Sequence, residues 1–136
     1  MNRLSLIAAS VLVPVLALGA AACSTNTRAP EDPGVCYHVV REGDAVRYNV
    51  VAEEQESIEF CAARLEEMRR NFLRLGGSVQ EITGAFQGQF IFIERSGVYF
   101  GQTLEGGRFF ALARTGDGRL AIPGVIQRPP APEAAD

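Results

Sequence analysis

Few side chains in this sequence could carry chemistry, and their spacing narrows the choice. Imidazole and thiol are confined to His38, Cys23, Cys36 and Cys61. A cysteine nucleophile needs a base beside a free thiolate. His38 and Cys61 form the one Cys–His pairing worth stating, and His38 shares a strand face with Cys36, two residues away. A cysteine held in a disulfide attacks nothing. One histidine and no Cys-x-x-Cys leave no zinc set of recognisable spacing. Asp117, in Thr115-Gly116-Asp117-Gly118, lacks the remaining ligands of a calcium loop. All 13 basic residues are arginine, so a lysine Schiff base or a Walker A loop has no residue to build it. Carboxylates cluster at Glu53-Glu54-Glu56 and at Glu66-Glu67, which by type alone would serve a two-carboxylate hydrolase. A charged helix entry and a solvated helix face account for both. Gly84/Gly88 and Gly106-Gly107 lack the strand–loop–helix setting of a phosphate cradle and read as turns or relief points. The expectation is a protein that is not an enzyme and holds no metal or other cofactor.

The elements that must position these residues fit one domain. The chain has 136 residues, 47% hydrophobic and 21% charged, with a net charge of −3 that offers no footprint for nucleic acid. Apolar residues at Ile58, Cys61, Leu65, Met68, Phe72 and Leu75 step by three and four, which predicts an amphipathic helix over Ser57–Leu75. Ser57 is its expected N-cap, Glu59 lies in the first turn, and Gly76-Gly77 supplies the stop. Glu66 and Arg70 are expected as an i,i+4 pair on the outer face. Arg64, Arg69, Arg70 and Arg74 gather basic charge that Glu59, Glu66 and Glu67 largely cancel. Phe60 points off the apolar stripe and is expected to cover the sheet edge, with an exposed contact as the alternative.

Before the helix, Val35–Val40 and Ala45–Ala52 read as a hairpin. After it the period changes to two. Ser78–Ile82, Ala85–Glu94, Val98–Leu104, Arg108–Arg114 and Arg119–Ile122 read as strands of a meander with glycine-containing turns. In Ala85–Glu94, taken as one strand, Phe86, Phe90 and Phe92 share one face and Ile91 and Ile93 the other. The fold class is therefore α+β: one helix packed on an antiparallel sheet of about five to seven strands, in the order hairpin, helix, meander. An apolar second face calls for a curled sheet or a covering partner. A curled sheet would offer an apolar pocket or contact at Phe90, Phe92, Tyr99 and Phe110.

Cys61 falls on the buried stripe, so its partner must come from the sheet beneath, and Cys36 on the first strand is the candidate besides Cys23. A Cys36–Cys61 bridge would contribute roughly 3 kcal/mol on the chain-entropy model. Two reduced buried thiols are the alternative.

The ends read differently. Arg3, the apolar run from Leu4 to Leu18 and the small residues Gly19 to Ala22 have the three parts of a secretory signal peptide. Cys23 directly follows Ala20-Ala21-Ala22, and residues 1–24 resemble a bacterial lipoprotein signal, with Ala20 where leucine is commonest. The resemblance implies removal of residues 1–22, lipid on Cys23, and, from Ser24, the outer membrane facing the periplasm. It also leaves Cys36 and Cys61 as an even pair. Ala20 and Ala22 equally satisfy an ordinary Ala-x-Ala site, which would release a soluble periplasmic or secreted protein with Cys23 free. Residues 23–33 are expected as the lipidated cysteine and a flexible tether, 34–126 as the folded domain, and 127–136 as a solvated Pro/Ala-rich tail. Together these suggest an anchored cell-envelope module for protein–protein interaction or assembly support, held to the membrane by its lipid and joined to an envelope protein partner. The alternative is a ligand-binding or inhibitor-type module using the apolar pocket.

Overall fold

A computed structural model describes residues 26–78 and 81–124. The signal-like segment 1–22, Cys23 and the tail 127–136 lie outside the described residues. Hydrophobic periodicity and turn residues set the order of elements: β1 (Cys36–Glu42), β2 (Ala45–Ala52), α1 (Ile58–Arg74), β3 (Ile82–Phe86), β4 (Gln89–Glu94), β5 (Gly97–Gly101), β6 (Arg108–Arg114) and β7 (Leu120–Ala121). The seven strands form one antiparallel sheet in the order β2-β1-β3-β4-β5-β6-β7. The fold is α+β, and the sheet stays open rather than closing into a barrel.

α1 begins where Ser57 Oγ accepts the Phe60 N–H at 3.4 Å, and Gly76, at φ +91°, ends it. Cys61, Ala62 and Leu65 are buried against the sheet. Beyond them the stripe opens: Met68 is half-buried, and Phe72 and Leu75 are exposed. The helix approaches closely at Gly84, where a Cβ would stand 2.1 Å from Leu65 Cδ1 and 2.9 Å from the Tyr37 carbonyl oxygen. Cys36 and Cys61 are joined in a disulfide with Cα atoms 5.3 Å apart, which fastens α1 to β1.

The stretch read as one strand over 85–94 is a hairpin. Gln87 and Gly88 have φ of +41° and +81° and form a two-residue turn between β3 and β4. Phe86 therefore joins the helix-side core with Ile91 and Ile93, while Phe90 and Phe92 lie in a second core on the opposite face.

That second face is covered by the chain's own N-terminal stretch. Ala29 is buried among Val39, Ala85, Phe90, Phe92 and Leu104. The Tyr48 hydroxyl donates to the Arg28 carbonyl at 3.1 Å, and Gly88 N–H to the Pro30 carbonyl at 2.8 Å. Residues 23–25 of the expected tether lie outside the described residues; from Thr27 to Pro33 the chain is a strap held to the sheet by Ala29 and by hydrogen bonds at Arg28, Pro30 and Asp32. A short polar, proline-rich sequence can dock when the sheet supplies donors and a slot sized for alanine.

Candidate functional site

At the far edge of the sheet, two backbone irregularities leave apolar side chains without cover. The β5–β6 register shifts between Val98 and Tyr99, so Ala111 is an extra residue, with Phe110 opposite Tyr99 and Leu112 opposite Val98. β7 pairs with β6 only at Ala113 and Arg114. Pro123 has no N–H to continue the ladder, and Gly124 at φ +83° turns the chain. Between this edge and the first turns of α1 runs an open cleft in two adjoining parts. One, of ≈ 390 Å³, is lined by Phe60, Ala63, Leu112, Leu120, Ala121 and Ile122, with Glu59 and Arg119 on its rim. The other, of ≈ 530 Å³, is lined by Ile58, Phe100, Phe109, Phe110, Ile122 and Pro123, and shares Glu59.

Phe60, Phe109, Phe110 and Ile122 are 56, 59, 44 and 57% exposed, far outside the range of core side chains. Phe109 packs edge-on against Phe100 with ring centroids 5.9 Å apart, and Phe110 against Tyr99 at 5.4 Å. These contacts hold the rings in place and leave their outer faces to solvent.

The cleft's walls are tied together by a buried charge. Glu66, 3% exposed, accepts from Arg69 Nε and Nη2, both at 2.9 Å, and from Arg114 Nε at 2.8 Å and Nη2 at 3.0 Å. Arg114 also donates to the Arg95 carbonyl at 2.8 Å. Burial alone would raise the Glu66 pKa; the guanidinium hydrogen bonds from Arg69 and Arg114 outweigh it and hold the carboxyl at about 2. The expected outer-face pairing of Glu66 with Arg70 is corrected. Glu66 lies under the helix, and Arg70 donates to the Gly118 carbonyl at 3.1 Å. A residue one position off the apolar stripe is buried here because two arginines neutralise it.

The cleft's remaining charge is uneven. Arg119 is held by Asp117, whose carboxyl the Arg119 and Thr115 hydrogen bonds keep well below the usual range. Arg108 pairs with Glu94 at 2.7 Å and stacks over Phe92 at 3.6 Å. Glu59, on the rim of both parts, has no ion-pair or hydrogen-bond partner among the described residues.

The sequence-derived candidates are dispersed. Phe90 and Phe92 are buried in the second core, away from this cleft; the hairpin at Gln87-Gly88 and the strap put them there. Tyr99 is half-buried beside them, and Phe110 alone of the four reaches the cleft. Phe60 borders the cleft rather than sealing the sheet edge. His38 is half-buried, and burial lowers its pKa. Glu53, Glu54, Glu56 and Glu67 are exposed. Among the described residues no three His, Cys, Asp or Glu side chains gather where they could hold a metal, and no helix is long and apolar enough to cross a membrane. Phe109, Ile122 and Glu59 were not singled out for the site from sequence. Adjacent Phe109-Phe110 in a strand was the available signal, since neighbours point to opposite faces and an edge strand cannot cover both.

Comparison with known proteins finds no matching family model, no matching curated protein and no matching solved structure.

Proposed function

We propose that this protein is a non-enzymatic cell-envelope lipoprotein, anchored through Cys23, whose folded module docks another envelope protein at the cleft between α1 and the β6–β7 edge. The observation that carries the docking reading is the exposure of Phe60, Phe109 and Ile122 around one cleft. Contiguous exposed apolar surface of this kind marks interaction sites in monomeric proteins. Ring packing and the Glu66–Arg114 tie support it further, because a preorganised surface loses little side-chain entropy on association. The envelope placement rests on residues 1–24 and their resemblance to a lipoprotein signal.

Two measurements test the two halves. Intact mass spectrometry of membrane-extracted protein should give a chain starting at Cys23 plus acyl groups; a bare chain in the soluble fraction refutes the anchor. A photocrosslinking residue at Phe109 should yield one discrete adduct in cells, absent when the crosslinker stands at exposed Arg64. Equal labelling from both positions refutes docking at the cleft. The ≈ 390 Å³ part also falls within the size range of small-molecule sites, which favours an apolar ligand as the second reading. Saturable binding of a small apolar probe, with no protein adduct at Phe109, would select it.

A further inference from the structure

We infer that the hollow between the middle of α1 and the β6–β7 loop binds a phosphate monoester dianion, carried by a small soluble molecule or by a lipid headgroup. The hollow, of ≈ 380 Å³, is lined by Arg69, Arg70, Arg114, Asp117 and Gly118, with Glu66 at its base. It shares Glu66 and Gly118 with the docking cleft but none of the exposed rings, so it stands or falls apart from the docking reading.

Charge is out of balance in the hollow. Arg69 and Arg114 share one carboxylate, each placing two nitrogens on Glu66. Asp117 is matched by Arg119, and Glu67, one turn before Arg70, is matched by Arg64 at 3.6 Å. Arg70 meets only a carbonyl, that of Gly118 at 3.1 Å. Three guanidiniums thus face one unmatched carboxylate, which leaves two positive charges over. Glu59 lies about two turns before Glu66 and lines the cleft rather than the hollow; counting it still leaves the balance positive. The side chains of Arg69 and Arg114 are 13 and 23% exposed, so their like charges are poorly screened and a dianion would relieve them.

The three arginines are also held in place. Glu66 fixes Arg69 and Arg114, and the Arg95 carbonyl holds Arg114 a second time. Arg70 rests against Gly118, at φ +88°, where a Cβ would stand 2.6 Å from Cζ and 2.8 Å from Nη2. Arg69 Nη1 and Arg70 Nε and Nη2 meet no acceptor among the described residues. Guanidinium forks of this kind match phosphate oxygens. A carboxylate would neutralise one of the surplus charges, whereas a phosphate monoester carries close to two.

The test uses the full chain at about 50 mM salt. Its probes are glycerol 3-phosphate, dihexanoyl phosphatidic acid below its micelle concentration, and acetate. Nitrogen-edited NMR of arginine Nε–H groups reads contact, and calorimetry reads affinity. Glycerol 3-phosphate should bind with a Kd below about 1 mM and shift the Arg70 signal, with acetate at least about tenfold weaker. Arg70→Gln, at an exposed position, should weaken binding about tenfold. Arg47→Gln removes the same charge from β2, at the other edge of the sheet, and should change it by less than about twofold.

Absence of a shift at about 10 mM glycerol 3-phosphate overturns the inference. So does an unchanged affinity in Arg70→Gln, or an equal loss in Arg47→Gln, which would mean general charge attraction. Acetate binding within about threefold of the phosphate ester removes the dianion. Truncation after Gly124 should leave the affinity within about threefold; a rise of about tenfold would make the chain's own C-terminal carboxylates the occupant and overturn an external ligand. Phosphatidic acid at least about tenfold tighter than glycerol 3-phosphate assigns the source to a lipid headgroup, and equal affinity assigns it to a soluble ester; either supports the inference.

Discussion

Replacing Glu66 by glutamine removes the charge on which Arg69 and Arg114 converge without changing the side chain's size. Its carboxyl is shifted from 4.5 to about 2, and each pKa unit corresponds to about 1.4 kcal/mol. The native charge is therefore favoured over the unfolded one by about 3 kcal/mol. Glutamine also turns an amide N–H₂ toward guanidinium groups whose side chains are only 13 and 23% exposed, leaving donors unmatched. Urea unfolding at pH 7 should show Glu66→Gln less stable by about 3 kcal/mol. Because the folded pKa is depressed, the stabilisation is complete above pH 4.5 and is lost as pH falls from about 4.5 toward 2. The parent protein should lose stability across that window by an amount the variant lacks. A Glu67→Gln control, at an exposed neighbour, should keep the parent's profile to within about 0.5 kcal/mol. If Glu66→Gln unfolds within about 1 kcal/mol of the parent and keeps its acid limb, the tie between α1 and β6 contributes nothing, and the reasoning fails.

Gly84→Ala should destabilise by about 1–3 kcal/mol in thermal or urea unfolding, since Leu65 can turn aside but the Tyr37 carbonyl cannot. Cys36→Ser and Cys61→Ser should each cost about 3 kcal/mol under oxidising conditions, with the double variant no worse than either; additive losses would mean that no bridge forms in the folded protein. Ala29→Arg should free the strap, and exchange at the Gly88 amide, which donates to Pro30, should rise at least about tenfold while amides of β4 stay protected. Phe109→Ser should change unfolding stability by less than about 0.5 kcal/mol, because the ring is mostly in solvent, yet abolish any association at the cleft.

Local signals were legible where period and punctuation agreed. β2 and β6 match their sequence-derived spans, and α1 runs one residue inside its expected ends. The Cys36–Cys61 bridge followed from helical phase, because only one face of α1 can reach the sheet. Features fixed by distant partners were not legible. The Gln87-Gly88 turn lacks the Asn-Gly or Asp-Gly signature. It is held from outside, by Pro30 accepting from Gly88 and by Gly34 donating to Gln87 Oε1 at 2.9 Å. Glu66 reads as a surface residue until Arg114, 48 positions away, arrives beside it. The same holds for the cleft. Its existence depends on a two-residue β7 and a bulge at Ala111, neither of which alters the hydrophobic pattern of Arg108–Arg114.

The strap has a mechanical consequence. If Cys23 is the attachment point, as proposed above, a pull between membrane and domain reaches the described chain through its N-terminal stretch and loads the strap from Thr27 onward. Peeling the chain to Pro33 would pay out about 23 Å of slack. It would break the hydrogen bonds from Tyr48 to Arg28, Gly88 to Pro30 and Tyr37 to Asp32, each worth about 1 kcal/mol. About 3 kcal/mol absorbed over that distance corresponds to a load on the order of 10 piconewtons. The tear then meets β1, which is paired on both sides and locked to α1 through Cys36. The strap would act as a sacrificial leash, yielding under tension before the fold does and lengthening the module's reach as it gives way.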